Sequence, residues 1–172
     1  ENAAKDDTII WRSIVVHWPF FSIGKSHGDT EILKLTLLKT LFENKVDVVL
    51  SGHDHAIQYI RMTRNNFEQH GYRLQSKTTN HCEITTIGLE SNPTITMKQG
   101  DALHQIVSGN GGDSIYELCS DRVTKYEEVV FAASTYGFVD IRMSATKFEI
   151  RNYLLQDQGT WNGRLIIERS EQ

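Results

Sequence analysis

Two short apolar segments that each end in histidine, separated by an apolar helical segment, constrain the fold most strongly. Residues 9–17 and 46–51 have the apolar, β-branched composition of buried strands. Residues 29–44 have the spacing of a helix, with Asp29 as its N-cap and Asn44 as a left-handed stop. A strand, a helix and a second strand within about 45 residues predict a βαβ unit with parallel strands and a right-handed crossover.

The predicted helix is apolar over a wide face. A surface helix normally keeps polar residues opposite a narrow apolar stripe. We therefore expect this helix to be largely buried. Its apolar residues are Ile32, Leu33, Leu35, Leu37, Leu38, Leu41 and Phe42.

Histidines follow both predicted strands. His17 ends the first strand, and Gly52-His53-Asp54-His55 follows the second. If the second strand continues to His55, both of its histidines share one face while Asp54 points away, and Gly52 lets the backbone turn tightly. Because the carboxyl ends of parallel strands meet at one edge of a sheet, the three imidazoles are expected to converge there.

The rest of the chain is predicted to be a polar excursion followed by an antiparallel meander. Residues 63–100 are rich in Thr, Asn and Gln, and are interpreted as a long insertion with a loose hairpin around 82–87. Residues 102–108 are a predicted strand, ending at a glycine-rich turn that is more typical of a plain connection than of a phosphate cradle. Period-two alternation predicts further strands at 137–143, 147–154 and 164–169.

Composition excludes some function classes. The 172 residues carry a net charge of −4 and a pI near 6.0, so there is no electrostatic footprint for nucleic acid. No apolar run reaches the roughly 18 residues that a membrane-spanning helix needs. The two cysteines, Cys82 and Cys119, are compatible with a disulfide or with two free thiols.

The metal-binding chemistry of the chain is incomplete. Three histidines suffice for a mononuclear zinc site, whereas a two-metal hydrolytic site also needs carboxylates that bridge the ions. Asp6 and Asp7 lie in the polar start, and Asp113 follows a glycine turn in the later sheet, so none is suitably placed. Either the site is mononuclear, or its acidic half lies outside this sequence.

The order of these blocks resembles a known family. His17-Trp18-Pro19-Phe20-Phe21-Ser22-Ile23, then His27-Gly28, then Gly52-His53-Asp54-His55 with Gln58-Tyr59 are similar to the C-terminal half of the calcineurin-like metallophosphoesterases. Within them, the chain most resembles the purple acid phosphatases, in particular the tartrate-resistant group. The resemblance is close over residues 9–60 and loose at 108–112 and 137–169.

The resemblance implies that residues 1–172 are the C-terminal part of one α/β domain, a four-layer αββα sandwich with a long insertion at 63–100. It implies a dinuclear centre of Fe with Zn, Mn or Fe, in which His17 and His53 bind the divalent ion and His55 the iron. His27 would face the substrate, and a metal-bound hydroxide would attack a phosphomonoester. A secretory, lysosomal or extracellular location is implied as well.

Two alternatives remain open at the level of sequence. Val16, Trp18 and Ala56 depart from the family pattern, and the family's N-terminal metal ligands are absent from this chain. We therefore expect a missing N-terminal half or a separate chain to complete the enzyme. The first alternative is a pseudophosphatase that acts as a scaffold or assembly subunit, and the second is a mononuclear three-histidine zinc domain. Asp54 is predicted to be structural, and His70, His81 and His104 to have no special role.

Overall fold

The computed structural model describes residues 5–6, 8–71, 81–88, 94–122, 127–156 and 159–170. Within these ranges the helices are α1 Glu31–Glu43 and α2 Arg64–His70, with a 3₁₀ turn at Ser120–Arg122. The strands are β1 Ser13–Val15, β2 Val48–Ser51, β3 Ile57–Thr63, β4 Cys82–Glu83, β5 Thr86–Ile87, β6 Thr94–Met97, β7 Ala102–Ser108, β8 Leu118–Cys119, β9 Glu128–Ala133, β10 Gly137–Met143, β11 Lys147–Gln156 and β12 Gly159–Arg169.

The predicted βαβ unit is confirmed. β1 and β2 are parallel, with Ser13 opposite Val48 and Val15 opposite Leu50, and α1 connects them. β7 extends this parallel group on the other side of β2, with Leu50 opposite Ile106. β1 is shorter than the predicted strand 9–17, because the parallel register with β2 extends over only three residue pairs.

Two larger sheets organise the described residues. The first has the order β1-β2-β7-β3-β9-β5. Its first three strands are parallel, whereas β3 is antiparallel to both β7 and β9, and β5 is antiparallel to β9. The second has the order β10-β11-β12-β6, and its first three strands form the predicted antiparallel meander. β6 joins β12 in parallel, which the sequence did not predict, and β4 pairs with β8 as a separate ribbon.

The core lies on both faces of the six-stranded sheet. Tyr59 and Ile106 pack against Phe148 and Ile150 of the four-stranded sheet. On the opposite face, side chains of the same sheet pack under α1, as in the contact of Val49 with Leu38 and Phe42. The described residues thus form helix, sheet and sheet layers, and the predicted α/β class is confirmed.

The prediction of a largely buried α1 is wrong. Ile32 and Leu35 are 58% and 64% exposed, whereas Leu38, Leu41 and Phe42 are buried. The apolar residues surround more of the helix than the one side that faces the sheet. An apolar residue on this helix is therefore not enough to predict that its position is buried.

The predicted helix 29–44 is shorter in the structure, Glu31–Glu43, and its N-cap and left-handed residue each lie one position later than predicted. Thr30 occupies the N-cap position without a side-chain hydrogen bond, and Asp29 instead accepts from the Ser22 amide at 2.7 Å and pairs with Lys34. The left-handed residue after the helix is Lys45, with φ 52°, whereas the predicted Asn44 has φ −91°.

The 63–100 region is more ordered in its described parts than predicted. α2 follows β3 directly, with the Thr63 side chain accepting from the Asn66 amide at its N-terminus. The predicted hairpin around 82–87 is wrong, since β4 pairs with β8 and β5 pairs with β9. A disulfide joins Cys82 to Cys119 within the β4–β8 ribbon, which resolves the open cysteine alternatives. Residues 72–80 and 89–93 of the predicted insertion lie outside the described residues.

Candidate metal centre

Three of the predicted histidines lie together at the carboxyl edge of β1 and β2. The Nδ1 atom of His53 and the Nε2 atom of His17 are 3.2 Å apart, close enough for one ring to donate to the other. The rings of His27 and His53 have centroids 4.0 Å apart, and that of Trp18 lies 5.8 Å from His53. The sequence-predicted residues His17, His27 and His53 therefore share one site.

His55 lies beside this group and is held separately. Its Nδ1 atom is 2.8 Å from the Ser114 carbonyl oxygen, and its ring stacks on Tyr116 with centroids 4.2 Å apart. Because a carbonyl oxygen only accepts, Nδ1 must carry a proton, and in the neutral ring Nε2 keeps its lone pair. A backbone carbonyl that fixes the tautomer in this way is a recurrent feature of metal-binding histidines.

The Gly52–His55 segment is a tight loop rather than the predicted strand extension. The Asp54 amide donates to the Gly52 carbonyl, and the Ala56 amide to the Asp54 carbonyl, each at 2.8 Å. His53, and not Gly52, adopts the left-handed conformation, with φ 66°. A non-glycine residue held there is uncommon and costs about 1 kcal/mol or more, which surrounding contacts must offset.

Asp54 is buried beneath the loop. It accepts a hydrogen bond from the Ser22 hydroxyl, so the prediction that it is structural is confirmed. Burial raises its pKa, which the hydrogen bond from Ser22 opposes. The turn after β7 closes the other side, because a Cβ at Gly109 would collide with the Asp54 carbonyl.

Two buried amide side chains hold the segment that carries His17 and His27. The Gln105 Oε1 atom accepts from the amides of Phe20 and Phe21 at 2.8 and 3.2 Å. The Gln58 Oε1 atom accepts from the Ile23 amide at 2.9 Å, and its Nε2 donates to the Ser22 hydroxyl at 2.8 Å. Sequence reasoning missed Gln105, although a polar residue inside an apolar strand was a usable signal.

Residues 114–122, here called the strap, connect the two histidine loops. The Tyr116 amide donates to the His55 carbonyl at 3.0 Å, and the Tyr116 ring lies 5.7 Å from His27. The Arg122 guanidinium donates to the carbonyls of Gly24 and Lys25. The Cys82–Cys119 disulfide ties the strap to β4. No motif marked the strap in sequence, because its contacts are mainly made by the backbone.

A cleft of about 320 Å³ opens beside the cluster, lined by Trp18 and His27 to Glu31 together with His53. Burial, and then the neighbouring His27 and His17 rings, lower the pKa of His53. A neutral imidazole is the form that binds metal.

Within the described residues, one set of three potential metal-ligand atoms lies within 4.8 Å of one another, in Cys82, Cys119 and Asp121. The two sulfurs of this set are already joined in a disulfide. The ligand atoms of the histidines are close in pairs, but no three of them lie within that distance.

Sequence comparison relates the chain to one group of enzymes. Residues of the chain are 42% identical over 60 positions to purple acid phosphatase 17 of Arabidopsis thaliana, covering 35% of this chain and 18% of that protein. They are 41% identical over 59 positions to tartrate-resistant acid phosphatase type 5 of Sus scrofa, covering 34% of this chain and 16% of that protein. The chain is related to the purple acid phosphatases. No protein-family profile matches the sequence.

Solved structures share the fold of almost the whole chain. Purple acid phosphatase PPD1 from yellow lupin seeds matches 93% of this chain and 25% of its own, with a TM-score of 0.61 and 16% identity. GAP50, described as the anchor in the inner membrane complex of Plasmodium, matches 92% of this chain and 38% of its own, with a TM-score of 0.54 and 17% identity. The chain thus corresponds to a minor part of each relative.

Proposed function

We propose that this chain is the C-terminal part of a metal-dependent phosphomonoester hydrolase of the acid phosphatase type. The observation that carries the proposal is the pairing of His17 and His53, 3.2 Å apart, beside a His55 whose tautomer is fixed by a backbone carbonyl. These residues lie in the part of the chain that resembles purple acid phosphatases. The supporting relatives are themselves named as acid phosphatases.

The donor set fits metal ions of the kind that purple acid phosphatases use. His17, His53 and His55 would hold the ions, and their neutral imidazoles suit iron, zinc and manganese. Bound ions would polarise the phosphoryl group and acidify water. In our proposal the ions are Fe with Zn, Mn or Fe, and carboxylate ligands come from a segment outside this sequence.

His27 is proposed to face the substrate. Its ring packs against His53 at 4.0 Å and lines the cleft, while the main-chain loop before it is held by Arg122. From this position an imidazolium orients the anionic phosphate and donates a proton to the leaving oxygen. His27 would therefore act in turnover rather than in metal binding.

The Cys82–Cys119 disulfide supports a secretory, lysosomal or extracellular location for the proposed enzyme. None of the helices in the described ranges is long and apolar enough to cross a membrane.

A second candidate is a non-catalytic scaffold. The fold likeness to GAP50, the anchor in the inner membrane complex of Plasmodium, is the observation that favours it. Trp18, next to His17 and 49% exposed, and the exposed apolar residues of α1 would then contribute to an assembly surface. Such a scaffold would need neither the close pair of His17 and His53 nor the fixed tautomer of His55.

Hydrolysis of para-nitrophenyl phosphate by the full-length protein tests the proposal, with His27→Ala and His81→Ala as a matched pair. His27→Ala should reduce kcat by about 100-fold while the metal content stays unchanged, because general-acid catalysis contributes on that scale. His81 is exposed and lies outside the cluster, so His81→Ala should match the wild type. An inactive wild-type protein with full metal content would favour the scaffold.

A further inference from the structure

A second cleft, of about 510 Å³, lies at the opposite edge of the parallel strands. Lys45 precedes β2, Lys98 and Gln99 precede β7, and Ile9 and Ile10 precede β1. Since the three strands are parallel, all of these positions lie at their amino ends, away from His17 and His53. The volume is within the range typical of small-molecule sites.

The charged groups that line this cleft are all cations. Lys45, Lys98 and Arg169 contribute three cations, and no acidic residue is among its described lining residues. Within the described chain, neither lysine forms an ion pair, whereas Arg169 pairs with the buried Asp47 at 2.6 Å. The nearby Asp101 accepts from the Lys98 backbone amide instead of lining the cleft.

The floor of the cleft contains donors without acceptors. The Nε and Nη1 atoms of Arg169 and the Oγ atom of Ser170 are buried and have no hydrogen-bond partner among the described residues. The Arg169 guanidinium is fixed in place by stacking over Trp11 at 4.0 Å and by donating to the Ile10 carbonyl at 2.8 Å. Because these buried atoms are closed to a ligand, the donors that it can reach are the ammonium groups of Lys45 and Lys98, and two cations lining one cleft match a ligand that supplies several acceptor oxygens.

One wall of the cleft is apolar and held in place. Gln99 donates from Nε2 to the Ile9 and Ile10 carbonyls at 3.0 and 3.1 Å, which fixes the two isoleucines at the rim. Ile10 is 41% exposed. A ligand with an apolar body would cover this side chain, whereas a bare inorganic anion would leave it in water.

We propose that this cleft binds an organic phosphate, with Lys45 and Lys98 facing the phosphate group and Ile9 and Ile10 facing its apolar body. The site is separate from the histidine cluster, and it does not depend on the proposed hydrolase activity.

Phenylphosphonate is the probe that tests this site, because its phosphorus–carbon bond resists hydrolysis. Isothermal titration calorimetry of the full-length protein at pH 7.5 compares the wild type, a Lys45→Gln/Lys98→Gln double variant, His53→Asn and the control Lys39→Gln. Lys39 is an exposed lysine of α1 outside the cleft. We expect the double variant to lose at least 10-fold in affinity for one site, and His53→Asn and Lys39→Gln to retain that site.

Two results would overturn the proposal. One is equal phenylphosphonate binding by the wild type and the lysine double variant. The other is complete loss of binding in His53→Asn, which would place all phosphonate binding at the histidines. Methylphosphonate tests the apolar wall, since it should bind at least 10-fold more weakly to the cleft than phenylphosphonate; equal affinity would exclude a role for Ile9 and Ile10.

Discussion

The two edges of the same three parallel strands carry side chains of different chemistry. At the carboxyl edge, the side chains that we propose as ligands are imidazoles, and one of them, His53, has a lowered pKa. At the amino edge, the cleft is lined by the basic side chains of Lys45, Lys98 and Arg169. A parallel sheet thus brings the residues at each end together, and the residues that follow or precede each strand decide the chemistry there.

The two edges differ in the burial of the glutamines that bind their backbone, although the amino edge also contains the buried Asp47–Arg169 pair. Gln105 and Gln58 are fully buried and bind the backbone of the segment that carries His17 and His27. Gln99 makes the corresponding backbone contacts at the amino edge but is only half-buried. The histidine edge is therefore preorganised, as a metal centre requires.

The largest effect is expected from removal of one histidine of the close pair. His53→Asn in the full-length protein should lower metal content by at least one ion per chain and phosphatase activity by at least 100-fold, the scale on which metal affinity responds to loss of supporting contacts. Asn tolerates the left-handed backbone that His53 adopts, so backbone strain would not explain the loss. Elemental analysis and a phosphatase assay measure both quantities, and unchanged activity would refute the ligand assignment.

Loss of the disulfide should destabilise the strap. Cys82→Ser with Cys119→Ser opens a cross-link between residues separated by 37 positions, which is expected to reduce the free energy of unfolding by about 4 kcal/mol. Urea denaturation measures the change. A reduction below about 1 kcal/mol would show that the backbone contacts of the strap suffice without the cross-link.

The difference in burial between the glutamines of the two edges can be tested with a matched pair of variants. Gln105→Leu leaves the Phe20 and Phe21 amides without an acceptor and should cost about 3 kcal/mol in unfolding free energy. Gln99→Leu removes contacts at a half-buried position, where water replaces them, and should cost about 1 kcal/mol or less. Equal losses in chemical denaturation would contradict the contrast between the edges.

The smallest effect is a pH dependence that originates at Asp29. Burial raises its pKa to about 6, although Lys34 opposes the shift, and Glu127 also faces the same lysine. Because the folded state binds the proton more tightly than the unfolded state, stability should fall by roughly 1 kcal/mol per pH unit as pH rises from about 4 to 6. Asp29→Asn should flatten this slope, and an unchanged slope in urea titrations would exclude Asp29 as its source.

Sequence patterns were sufficient for the elements with strong periodicity. The parallel pairing of β1 with β2, the helix between them and the meander of β10 to β12 follow from apolar patterning and strand–helix–strand order. The grouping of His17 with His53 follows from the same argument. The family relationship was also evident from the histidine blocks, because they occur in a specific order.

Patterns were insufficient where tertiary contacts decide the structure. The pairing of β4 with β8 and of β6 with β12 joins segments distant in sequence, and no local signal specifies it. The left-handed conformation occurs at His53 and not at the preceding Gly52, which no residue preference predicts. His104, predicted to have no special role, is fully buried, with its Nδ1 atom 2.6 Å from the Tyr59 hydroxyl.

The metal content of the full-length protein, purified natively and measured by elemental mass spectrometry, tests the central claim most directly. We expect close to two ions per chain, one of them iron, and the loss of at least one in His53→Asn. A folded protein with close to zero bound metal would contradict the account and would favour the scaffold.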